Sequence, residues 1–219
     1  MFGKTRLIRQ LLEPAAYPHE VGRIQLIETH ISWVILTGEF AYKLRRPVNL
    51  GFVDFRDLAR RRQDCLDEVR LNRRLATEVY LGVVPLVLDA AGRLSLGGAG
   101  ETVDWLVRMQ RLPADRMLDH LLRNEAVRQP EIVQLARRLA RFYAALPAEP
   151  LAPEAYRHSL AGRIEDNLRE LGSPEFGLPR DVPAELARFQ LDFLQRHAEL
   201  FDRRVLAGRI VEGHGEPPD

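Results

Sequence analysis

Lysine occurs at only two positions, Lys4 and Lys43, and the remaining basic side chains, histidines aside, are arginines. Lys43 lies inside the apolar stretch Phe40-Ala-Tyr-Lys-Leu44. There it supplies a compact ammonium with rotatable donors, where arginine would supply a planar fork. Such a group is a point charge suited to phosphate oxygens. The plain alternative is an edge-strand lysine with its head in water. Glu68 is the second candidate. It sits on the flank of an apolar stripe, where a carboxylate either reaches under a neighbouring sheet or pairs with Asn72 or an arginine along its own helix. At the far end, His214-Gly-Glu216 places an imidazole two residues from a carboxylate. In a Gly/Pro-rich tail, an exposed histidine is the alternative reading.

Positioning Lys43 requires a hairpin. Ile31 to Leu36 reads as one strand, Thr37-Gly38-Glu39 as a tight turn and Phe40 to Leu44 as the return strand. Gln25 to Thr29 adds a first strand, so three consecutive antiparallel strands are expected. Positioning Glu68 requires a long helix. One is expected from about Phe55 to Ala76, capped by Asp54, with Leu58, Cys65, Val69 and Ala76 on one stripe. A short helix over Thr5 to Glu13 precedes the strands and ends at Pro14. Further strands follow at Gly82–Asp89, Arg93–Leu96 and Thr102–Gln110. Gly97 to Gly100 lacks the Lys-Ser/Thr of a phosphate loop and reads as a hairpin end. After the connector Arg111–Pro113 the pattern turns helical, over 115–124, 130–146, 159–171 and 182–206. Strands first and helices second argue for an α+β fold. The division expected is a sheet-bearing part, residues 1–112, and a helical part, residues 113–219.

Bulk properties narrow the function classes. The 32 basic and 31 acidic residues leave a net charge of +1, so no global pull toward nucleic acid or anionic membrane exists. Arg60-Arg-Arg62 and Arg73-Arg74 are offset by acids on the same helix. Cys65 is the single cysteine, which precludes an intrachain disulfide and suits a reducing cytoplasm. No stretch approaches the roughly 20 apolar residues of a membrane span, and the N-terminus lacks a signal-peptide run. A cytoplasmic protein is expected.

Several runs together resemble one family: Leu26-Ile-Glu-Thr-His-Ile-Ser-Trp-Val34, Leu36-Thr-Gly38 with Ala41-Tyr-Lys-Leu44, Pro47-Val-Asn-Leu-Gly-Phe52, and Glu68-Val-Arg-Leu-Asn-Arg-Arg-Leu-Ala76 through Tyr80-Leu-Gly-Val-Val-Pro85. The chain is similar to the aminoglycoside-phosphotransferase-like proteins of bacteria, often found with a P-loop kinase-like domain. The resemblance implies a kinase-like small lobe followed by a partial helical large lobe. It implies transfer of the γ-phosphoryl of ATP, with Mg²⁺, to a hydroxyl of a small-molecule acceptor. By the same resemblance Lys43 is the phosphate-contacting lysine and Glu68 the helix glutamate that holds it. The connector after Met109, with Met109 and Arg111 as nucleotide-binding residues, supplies backbone groups to the adenine edge, and His214-Gly-Glu216 is the start of the catalytic loop. Glu216 stands where the family has aspartate, the family's metal-binding residues do not follow, and no metal ligand is assigned. The resemblance thus implies a truncated or degenerate phosphotransferase of weak or no activity. The competing expectation is a non-catalytic module that holds nucleotide and self-associates through an uncovered helical surface.

Overall fold

The computed structural model describes residues 4–49, 54–179 and 181–213. Its fold is α+β. Six strands, β1 (Gln25–Glu28), β2 (Ser32–Leu36), β3 (Phe40–Arg45), β4 (Tyr80–Leu88), β5 (Leu94–Leu96) and β6 (Glu101–Gln110), form one sheet in the order β1-β2-β3-β6-β4-β5. Every pairing is antiparallel. Seven helices lie among the described residues: α1 (Lys4–Leu11), α2 (Leu58–Ala76), α3 (Leu118–Arg123), α4 (Gln129–Ala144), α5 (Pro153–Leu171), α6 (Asp181–Arg196) and α7 (Ala198–Leu206). None is long and apolar enough to cross a membrane.

Alternation along the strands separates two cores. Trp33 and Ile35 of β2 pair with Leu44 and Tyr42 of β3, and Leu44 pairs with Leu106 of β6. Cross-strand partners share a face. These residues are buried together with Leu86, Leu94 and Leu96, under Leu11 of α1 and the turn carrying Ala16 and Tyr17. The other face carries Lys43 and its partner Val107. There Val107 meets Cys65 and Val69 of α2, flanked by Tyr80, Val83, Trp105 and Met109. The sheet is therefore covered by α1 on one side and by α2 on the other.

A β-bulge adjusts this alternation. Leu86 pairs with Asp104 and Val87 with Thr102, leaving Val103 as the extra residue. Val103 packs into the α1-side core, whereas Asp104 accepts from Arg61 Nε of α2 at 2.9 Å. Re-aiming one side chain is what a bulge does. Arg61 also donates to the carbonyls of Phe55 and Arg56, and both members of the pair are over nine-tenths buried.

Three helix starts differ from the sequence reading, one of them α3, expected from Asp115 but beginning at Leu118 after a 3-10 turn over Ala114–Arg116. The residue that caps α2 is Asp57, whose carboxylate accepts from the Arg60 amide at 2.9 Å. Asp54 instead accepts from the amide and guanidinium of Arg56. That local turn competes with capping and delays the helix. The helix expected from Ser159 begins earlier, with Pro153 in its first turn, where the missing amide costs nothing. The glycine run follows the β4–β5 hairpin and carries the chain across β4 to β6 on its other side. Gly100 has φ +143°, and a Cβ there would lie 2.3 Å from the Leu88 carbonyl oxygen.

By its internal contacts the chain divides into two units, Met1–Ile132 and Val133–Asp219. In the second, α5 packs against α6 and α7. Arg157 pairs with Asp202, and Ala148 bridges Val211. A cavity of about 700 Å³ is lined there by Tyr143, Tyr156, Arg204 and Arg209 among others.

Cys65 is fully buried, and burial pushes its thiol up to about 12. Because the thiolate is the reactive form, an aromatic disulfide reagent at about pH 8 should modify the native chain about 10²-fold or more slowly than the urea-unfolded chain. Absorbance-monitored thiol titration reads the two rates. Equal rates would mean that α2 does not cover the sheet.

Candidate functional site

The site forms where β3 runs beside α2, which packs over β6 and β4. In β3 the period of two sends Lys43 and Arg45 to the same face, while Tyr42 and Leu44 enter the opposite core. In α2 the turn repeat places Asp64 and Glu68 one above the other. The strand pair of cations therefore meets the helix pair of carboxylates.

Lys43 Nζ donates to Glu68 Oε1 at 2.9 Å. Arg45 Nη2 donates to the other oxygen, Oε2, at 2.6 Å. Arg45 Nε pairs with Asp64, and Nη1 donates to Ser32 Oγ on β2 at 3.0 Å. The guanidinium also lies 5.3 Å from the ring centre of Phe55. Side-chain exposure grades the cluster: Arg45 is 8% and Glu68 9% exposed, whereas Lys43 is 26% exposed. Lys43 and Asp64, the latter 31% exposed, thus sit at the rim of a cluster whose other two members, Arg45 and Glu68, are covered.

Burial sets the electrostatics. It raises the Asp64 carboxyl above its ordinary value, against the lowering effect of Arg45. Burial likewise raises the Tyr80 hydroxyl, and the Glu68 charge adds to that rise. Asp104 is raised by burial too, opposed by Arg61. Two cations and two carboxylates leave the Lys43–Arg45–Asp64–Glu68 cluster formally neutral, a condition for burying it.

Of the residues singled out from sequence, Lys43 and Glu68 are brought together. Asn72 donates to the Glu68 backbone carbonyl at 2.8 Å and leaves the carboxylate to the sheet. Met109 pairs with Ala41 on β3, two residues along β6 from Val107, and flanks the α2-side core. The Gln110 and Arg111 amides are committed to the carbonyls of Val79 and Glu39, at 2.8 and 2.9 Å. The Arg111 guanidinium turns to Gln25 Oε1, 3.4 Å away. The turn between β1 and β2, glycine-free in sequence, is closed on itself: Thr29 Oγ1 donates to the Ser32 carbonyl and accepts from its amide, both at 2.9 Å. His214 and Glu216 lie outside the described residues. Among the described residues, no group of three or more His, Cys, Asp or Glu side chains is placed to hold a metal ion.

Arg45, Asp64 and Ser32 went unread in the sequence. Their signals were present: Arg45 is two residues from Lys43 on a strand, and Asp64 is four from Glu68 on a helix.

No family model matches the chain, and no solved structure matches it significantly. It is similar to uncharacterized proteins of Mycobacterium bovis and Mycobacterium tuberculosis, 30% identical over 195 residues. The match covers 88% of this chain and 37% of each relative, so the chain spans little more than a third of their length.

Removing a buried carboxylate strands the charges it held, whereas removing a rim lysine leaves Glu68 still paired. Glu68→Ala should lower the unfolding free energy by about 3 kcal/mol, and Lys43→Met by about 1 kcal/mol or less. Urea denaturation of the two variants checks the order. A reversed order would place Lys43, not Glu68, at the covered centre.

Proposed function

We propose that the chain forms the nucleotide-holding part of a kinase-like phosphotransferase of the aminoglycoside-phosphotransferase type, acting on a hydroxyl of a small molecule. The observation that carries this reading is the Lys43–Glu68 pair, joining the third strand to the long helix that follows it. An ammonium fixed by a carboxylate stays charged and aimed, which is what a triphosphate requires. Lys43, at the rim, is the residue that would contact phosphate oxygens. Met109 would lie beneath the base. With the Gln110 and Arg111 amides committed, the first connector donor for an adenine edge is the amide of Leu112, a residue 49% exposed.

Mg²⁺ would neutralise phosphate charge when bound as Mg²⁺·ATP. The role proposed for the Lys43–Glu68 pair is binding and orientation of the phosphates. Catalytic roles for His214 and Glu216 remain part of the resemblance, as does the acceptor hydroxyl. Arrangement into small and large lobes belongs to the same proposal.

A second reading has its own observation. Along α6, Val182, Leu186, Phe189 and Phe193 are 51%, 51%, 68% and 43% exposed. Their spacing of three and four residues puts them on one stripe. An apolar stripe of this kind favours a non-catalytic module that associates through its helical face. A concentration-dependent rise in mass by sedimentation, lost in Phe189→Glu, would favour that reading.

Calorimetric titration with Mg²⁺·ATP tests the first. Saturable binding is expected, weakened about tenfold or more in Lys43→Ala through loss of a charge-assisted contact. A folded chain that binds no nucleotide, or binds it equally well without Lys43, would overturn the nucleotide site.

A further inference from the structure

Arg45 makes a different use of Glu68 from Lys43. Its three guanidinium nitrogens engage three side chains: Glu68 on α2, Asp64 one turn earlier, and Ser32 on β2. Its plane rests against Phe55. An arginine committed on every nitrogen and 8% exposed is immobile. Lys43, by contrast, reaches one oxygen of Glu68 from a flexible stem at the rim. Glu68 therefore has one cation fixed to the frame and one that is able to leave.

We infer that Arg45 is a positioning residue: it holds Glu68 in place and neutralises Asp64, so that Lys43 is free to turn to an anionic ligand without leaving a buried carboxylate unpaired. This rests on the nucleotide reading for the identity of that ligand, a triphosphate, but not for the division of labour between the two cations. Without Arg45, two carboxylates one turn apart face one lysine. Both draw on Lys43, the ammonium is held more tightly, and it is less available to phosphate. Lysine in place of Arg45 restores the charge but not the fork, because a point donor does not span Glu68, Asp64 and Ser32 together.

The chain's two lysines make this measurable. Acylation of Lys43 relative to Lys4, read by peptide mass, reports how tightly Lys43 is held. In Arg45→Gln the Lys43:Lys4 ratio should fall about threefold to tenfold. In Arg45→Lys it should stay below wild type while thermal unfolding remains close to wild type. Fragment masses separate Lys43 from the new amine. Calorimetry on the same variants should show Mg²⁺·ATP weakened about tenfold in Arg45→Lys, and adenosine, which lacks phosphates, unchanged. An unchanged Lys43:Lys4 ratio in a folded Arg45→Lys chain overturns the inference, as does a wild-type affinity for Mg²⁺·ATP. If wild type binds no Mg²⁺·ATP while the acylation ratio falls as stated, the nucleotide reading fails and the positioning role stands. If Arg45→Gln does not fold, Arg45→Lys alone decides.

Discussion

Charge buried between a helix and a sheet must be balanced on the spot, and that constraint shapes this fold from β2 to β6. Glu68 is 9% exposed and Arg45 8% exposed, in a place where each would destabilise the fold if left alone. The apolar contacts between α2 and the sheet are modest: Cys65 and Val69 on Val107, with Tyr80, Val83, Trp105 and Met109 around them. Helix position is therefore set as much by ion pairs with fixed geometry as by packing. An apolar interface tolerates sliding better than a fork of hydrogen bonds does.

The two faces of the sheet divide the work. Beneath it, Leu11, Tyr17, Trp33, Tyr42 and their neighbours form the larger buried cluster. Above it, the same strands present the ion cluster and a smaller apolar group. One strand serves both, since β3 sends Tyr42 and Leu44 down and Lys43 and Arg45 up. A one-residue slip of β3 would put two cations into the apolar core, so the charges themselves specify the register.

Much of this was legible in the residues. The hairpin around Gly38, the strands from Tyr80 to Gln110 and the run of helices after Pro113 follow from local patterning, and their order gave α+β. Lys43 could be found because lysine is rare in this chain. Arg45 could not be found that way, being one arginine among many. Arg61 was hidden for a related reason: it occupies the helix stripe that Cys65 and Val69 share, where an apolar side chain is the usual occupant. Its partner Asp104 arrives from a strand 43 residues away through a bulge. No local pattern announces a bulge, and none decides between Asp54 and Asp57 as the cap.

The two anchors on α2 have a mechanical consequence. Arg61 and Glu68 are seven residues apart, or two turns and about 10 Å along the axis, and they tie to different strands, β6 and β3. A single tether lets a helix swivel about it; two tethers on separate strands remove that freedom. Rotating α2 about its own axis, or sliding it by a turn, would break both sets of pairs at once and expose four or more charges to an apolar surround. The helix and the sheet thus behave as one stiff plate, and motion in this unit is left to the segments at its edges.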